Sequence, residues 1–225
     1  MEVVDQLDSE AMRALTVLAA ATQYSPRASE IDAGLILMEN LIGQLLDGPL
    51  PLGRDWMDHL DVLGAVRVSG VESFREFGDL WSAVTPGYLS NGLTEGSETI
   101  APGLEALMAK GLPLTTVPHA LKPGFVRLPF PNEESLRQTL TRLAVHIEHV
   151  DDIVEIASSS FQAFTRDDSL IPRYLERLDS LPSLGTLHGW WKQLPTHCHV
   201  TPVGRVLARA NANRLDGQGL LPPLD

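Results

Sequence analysis

Eight apolar residues, Leu136, Leu140, Leu143, Ile147, Val150, Val154, Ala157 and Phe161, follow one another in steps of four and three without a break. An a/d seam held for more than three heptads predicts a single helix from about Asn132 to Phe164. Asn132 can cap its start, and Glu133 and Glu134 suit the positive end of the helix dipole. At 1.5 Å per residue such a helix is roughly 50 Å long, more than a compact domain of this size needs. It therefore spans the molecule as a backbone or packs against a copy of itself. The reading adopted is a homo-oligomer whose interface is Leu136, Leu140, Leu143, Ile147, Val150 and Val154.

Helical patterns also dominate elsewhere. Asp8 or Ser9 can cap a first helix carrying Met12, Leu15 and Leu18, and a second runs from about Glu30 to Leu46. A third runs from Asp55 to Leu63, and further helices are expected in "SLIPRYLERLDSL" and "LGTLHGWWKQL". Residues 84–132 differ, with prolines at 86, 102, 113, 118, 123, 129 and 131. One helix near Pro102–Lys110 and an edge strand in "GFVRLPFP" are expected there. The fold class is mainly α, a helical bundle with one long central helix and short winged-helix-like strand–helix elbows. Three segments follow: an N-terminal helical subdomain (1–83), a Pro/Gly-rich connecting region or active-site loop (84–131), and the long helix plus a C-terminal winged-helix-like subdomain (132–225).

The elbows are "AVRVSGVESFREF" and "HVTPVGRVLARANANR", each a β-prone run, a capping hydroxyl and a helical pattern. Ser69 and Thr201 are the expected N-caps, with Pro202 at the first helical position, where its missing N–H costs nothing. The strand followed by "VTPVGRVLA" resembles the wing and following helix of many bacterial regulators. It also resembles the end of an uncharacterised bacterial family described as abortive-infection alpha-like. The likeness rests on Thr201 and Gly204, with Val200, and covers at most the last quarter of the chain. It implies a helix-rich fold in a bacterial defence or stress setting, and brings no catalytic residues.

Composition narrows the function classes. The net charge of −12 opposes phosphate-backbone binding, which is carried by Lys and Arg. "LHGWWKQL", the helix before the wing, holds one lysine and no arginine, so DNA reading is the third-ranked role. Arg205 and Arg209, on one helix face, read as a solvated surface. A single cysteine, Cys198, rules out an internal disulfide and fits a reducing cytoplasm. Acids near the N-terminus argue against a secretion signal, and no apolar stretch suffices to span a bilayer.

Chemistry is sparse. In "VHIEHVDDIVE", His146, His149 and Asp152 lie on adjacent turns, where imidazole and carboxylate can ligate a divalent metal. The order is not Glu-x-x-His, and the nearest matching pair elsewhere is Asp55 with His59. Solvated shoulders of the seam are the simpler account. His197 and His199 share one face of a strand and Cys198 takes the other, so "HCH" is no metal triad. Hydrolase elbows, phosphate loops and dinucleotide fingerprints are absent. Trp190 and Trp191 point about 100° apart on a helix; core packing of both is the default expectation, and the alternative puts one in the core and leaves the other as an exposed partner-binding anchor. The expected function is a non-enzymatic protein–protein interaction or regulatory module of a bacterial cytoplasmic system, without cofactor. An all-α enzyme or metal-binding bundle using His146, His149 and nearby carboxylates is the rival.

Overall fold

The computed structural model describes residues 8–26, 28–69, 77–217, 219 and 221–224. Ten α-helices and five short strands occur among them, in agreement with a mainly α fold. The helices are α1 (Ser9–Gln23), α2 (Ile31–Leu45), α3 (Asp55–Val62), α4 (Phe77–Val84), α5 (Ile100–Ala109), α6 (Glu133–Arg142), α7 (Ile147–Phe161), α8 (Ile171–Asp179), α9 (Pro182–Trp191) and α10 (Pro202–Leu215). The strands are β1 (Val66–Ser69), β2 (Leu93–Thr94), β3 (Val117–Pro118), β4 (Phe125–Arg127) and β5 (His197–Val200). None of the helices is long and apolar enough to cross a membrane. The chain forms two compact units, each assembled from segments distant in sequence. One takes residues up to Ser25, Ile36–Leu80 and everything from Leu178; the other takes Pro26–Leu35 and Trp81–Arg177.

The strands expected at the two elbows, β1 and β5, belong to the first unit and are each other's partner. β1 and β5 pair antiparallel with Val66 opposite Val200 and Val68 opposite Cys198. Thr201 then caps α10: its Oγ1 accepts from the Gly204 N–H at 3.1 Å and donates to the Gly64 carbonyl at 2.6 Å. The Thr201 N–H donates to the Ala65 carbonyl at 3.0 Å. A Cβ on Gly204 would lie 2.0 Å from that same Ala65 oxygen. The Thr-x-x-Gly spacing thus has a local cause, a cap with no room beside it. The capping role expected of Ser69 and the helix through residue 76 lie outside the described residues.

α1 is buried nearly all round, and its alanines at 11, 14, 19, 20 and 21 permit close approach of α10 through Ala208, Asn211 and Ala212. Asn211 donates to Thr16 Oγ1 at 2.9 Å across this seam. α9 receives its N-terminal cap from another helix. The Glu39 carboxylate on α2 accepts the Ser183 N–H at 2.9 and 3.0 Å, and the Leu184 N–H at 3.0 Å.

In the second unit, β4 is the central strand of the order β2–β4–β3, not an edge, because its prolines fall after the paired residues at 129 and 131. Leu107, Leu128, Phe130, Leu136, Ile153 and Phe161 form the core there. The helix expected over 132–164 is two helices. α6 ends at Arg142, α7 starts at Ile147, and Ala144 between them has φ 52°. Leu136 and Leu140 of α6 and Ile153, Ala157 and Phe161 of α7 all enter one core, which turns the chain back on itself. The turn closes with the Val145 N–H on the Leu140 carbonyl at 3.1 Å. Arg137 reaches Asp151 across the hairpin at 3.1 Å.

Candidate functional site

Folding back divides the predicted seam. Leu136 and Leu140 are sealed inside the second unit, so they are not interface residues in this conformation. Val150 and Val154 are half-buried against the same core. Leu143 and Ile147, at the joint, are left uncovered: 52% and 87% of their surface is exposed. They lie four residues apart on either side of Ala144, with the exposed His146 between them. Nearby, the Val145 side chain lies against the backbone turn at Gly111, which follows α5. Two large apolar side chains are thus uncovered at one turn.

The imidazoles of His146 and His149 stand edge to face, with centroids 6.3 Å apart. Asp152, the third candidate ligand, is engaged elsewhere. Lys110 donates to its carboxylate at 2.6 Å, and this hydrogen bond and charge hold the Asp152 pKa below the usual carboxylate range. No group of three His, Cys, Asp or Glu side chains suited to a metal is gathered among the described residues. Asp58, on the same helix as the Asp55–His59 pair, pairs with Arg54 at 3.0 Å.

Trp190 and Trp191 are both buried, so neither is an exposed anchor for a partner. The Trp190 indole N–H donates to the Pro51 carbonyl at 2.8 Å, and its ring lies 5.8 Å from Trp56. Trp191 meets Phe77 edge to face at 5.4 Å. Adjacent aromatics can both be buried because α9 is covered on more than one side, which local periodicity does not reveal. Cys198 is buried too, and burial pushes its thiol pKa up to about 11. Its nucleophilic thiolate is therefore scarce at neutral pH.

A buried polar network in the second unit carried no sequence signal. Arg127 is fully buried and donates to the Leu128 carbonyl at 2.9 Å and to the Ser29 carbonyl. Its guanidinium lies over the Tyr88 ring at 5.2 Å, and burial lowers its pKa to about 10. His119, also buried, has Nε2 at 2.8 Å from the Ser90 carbonyl and accepts the Leu121 N–H on Nδ1 at 3.3 Å. The neutral tautomer with hydrogen on Nε2 satisfies both contacts, in keeping with a pKa lowered chiefly by desolvation. These groups hold chain segments to one another. An alternation of polar and apolar residues could not single them out.

Each unit also has a cavity. In the second, about 650 Å³ opens beside α6, lined by Pro129, Ser135, Gln138, Thr139 and Arg142. In the first, about 310 Å³ lies at α1 and α10, lined by Met12, Arg13, Asp47, Leu207, Asn211 and Arg214. Arg13 is already tied to Asp47 at 2.5 Å, and Arg214 donates to Asn211 Oδ1 at 3.0 Å. Comparison with protein-family models, curated proteins and solved structures found no match.

Proposed function

We propose that the chain is a non-enzymatic protein–protein interaction or regulatory module that self-associates at the α6–α7 joint. The observation that carries this reading is the exposure of Leu143 and Ile147. Large aliphatic side chains crowded at one turn gain by burial against another surface, at about 25 cal/mol for each Å² removed from water. The joint inherits the seam's apolar spacing, so a second copy presents a matching face. The likeness at Thr201 and Gly204 supports a bacterial defence or stress setting, and the lone Cys198 suits a reducing cytoplasm.

Sedimentation velocity over a concentration series tests the reading. The protein should dimerise, and Ile147→Glu should be monomeric with an unchanged circular dichroism spectrum, since residue 147 is exposed and its loss leaves the core intact. A native chain that stays monomeric at every concentration refutes it.

A further inference from the structure

Leu143, Ala144, Val145 and His146 include no glycine, proline or asparagine, the residues that usually end a helix. Alanine is the best helix former of all, yet Ala144 sits at φ 52°, a left-handed conformation that its Cβ opposes. On both sides the seam keeps its register, as though the helix ran on. Local sequence and local backbone are in conflict here, and a short joint under such strain invites exchange between copies.

We propose that the Leu143–His146 joint is an exchange hinge. α6 and α7 open into one continuous helix, and two copies of the chain swap everything from α7 onward. This rests on the self-association proposed above and names its mechanism and partner, a second copy of this chain. In the exchanged dimer two such helices run antiparallel and cross at Ala144. The α7 of one copy takes the place beside the α6 of the other, so the contacts of Leu136 and Leu140 with Ile153 and Phe161 are remade between copies rather than lost.

The charges agree with this geometry. Arg137 and Asp151 stand seven residues before and seven after Ala144, and they pair at 3.1 Å within the hairpin. In a continuous helix the same two residues lie roughly 21 Å apart. An antiparallel crossing at residue 144 sets Arg137 of each copy opposite Asp151 of the other, twice. Two things change in favour of the dimer. Ala144 returns to helical φ, and Leu143 and Ile147 of the two copies meet at the crossing, where they are buried.

The discriminating variant is Ala144→Gly. Glycine accepts the left-handed turn without cost and weakens a continuous helix, so it favours the closed hairpin on both counts. The expected effect is about tenfold or more per hinge, hence at least roughly a hundredfold weaker dimerisation for the two hinges of a dimer. Native chain and variant are refolded from urea at high micromolar concentration and diluted in series, and mass is read by light scattering at each concentration. Spin labels at Glu134 and Glu155, on chains refolded with a large excess of unlabelled chain, report the intrachain distance in the dimer fraction. A native dimer with labels roughly 31 Å apart, as a continuous helix requires, and a monomeric variant support the hinge. A dimer as tight in Ala144→Gly as in the native chain, or one whose intrachain labels remain at hairpin distance, overturns the exchange while leaving surface self-association standing. A native chain that is monomeric after refolding overturns both.

Discussion

Gly204→Ala sets two effects of opposite sign against each other. Gly204 lies in the first turn of α10, where alanine is intrinsically better than glycine by about 1 kcal/mol. An added Cβ, however, would stand 2.0 Å from the Ala65 oxygen, 2.9 Å from its carbonyl carbon and 3.0 Å from Val200 Cγ1. Relief requires the start of α10 to retreat by about 1 Å or more from β1 to reach ordinary contact distance. That movement stretches two hydrogen bonds anchored at the same spot, Thr201 N–H to Ala65 and Thr201 Oγ1 to Gly64. Each is worth about 1 kcal/mol, and the steric strain costs about 1–3 kcal/mol more. The clash outweighs the propensity, and a net loss of roughly 2–4 kcal/mol follows. Urea unfolding followed by tryptophan fluorescence measures it, since Trp56, Trp190 and Trp191 belong to the same unit as α10. With a slope of about 1–3 kcal/mol per molar urea, the midpoint should fall by roughly 1 M or more. Gly189→Ala in α9 is the control, because its Cβ would meet nothing within 4 Å; it should be neutral or stabilising by up to about 1 kcal/mol. If Gly204→Ala matches Gly189→Ala, the close approach of α10 to β1 is wrong.

Two further outcomes follow from His119 and Glu39. His119 has a folded pKa below its unfolded value of about 6.5, so the unfolded chain takes up the proton first. Its contribution is complete above that pH and is lost as pH falls through the folded pKa; urea midpoints at pH 7 and 5 should differ less in His119→Gln than in the native chain, and an equal difference in both proteins would contradict a buried neutral imidazole. Glu39→Ala removes the carboxylate that caps α9 and should lower stability by about 1–2 kcal/mol, with Glu39→Gln intermediate because one oxygen acceptor remains. Thermal unfolding reads both, and a melting temperature unchanged in Glu39→Ala would show that the cap contributes nothing.

Much of the helical architecture was legible because short-range rules carried it. Asn132 accepts the Ser135 N–H at 2.9 Å, Asp8 accepts the Glu10 N–H at 3.3 Å, and Thr201 caps α10 as its spacing indicates. The candidate site was legible only in part. Leu143 and Ile147 were found through the apolar repeat, but so were Leu136 and Leu140, which the core consumes. Core packing of both Trp190 and Trp191 was the default expectation, and both are buried, so the alternative of one exposed anchor falls. Arg127 and His119 escaped notice because their partners are backbone carbonyls distant in sequence, at Ser29 and Ser90.

The sequence by itself determined where hydroxyl and carboxamide caps start helices, which residues are apolar enough to be buried, and the continuous seam from Leu136 to Phe161. Those are properties of a residue and its neighbours within a turn or two, and no distant contact is needed to set them. Tertiary structure alone decided that the seam folds back at Ala144, that the two elbow strands pair with each other, and that Glu39 caps a helix 144 residues further along. The reason is one of scale. A left-handed alanine costs about 1–2 kcal/mol, and burying several large side chains of α6 and α7 in one core returns about 1.5–3 kcal/mol for each.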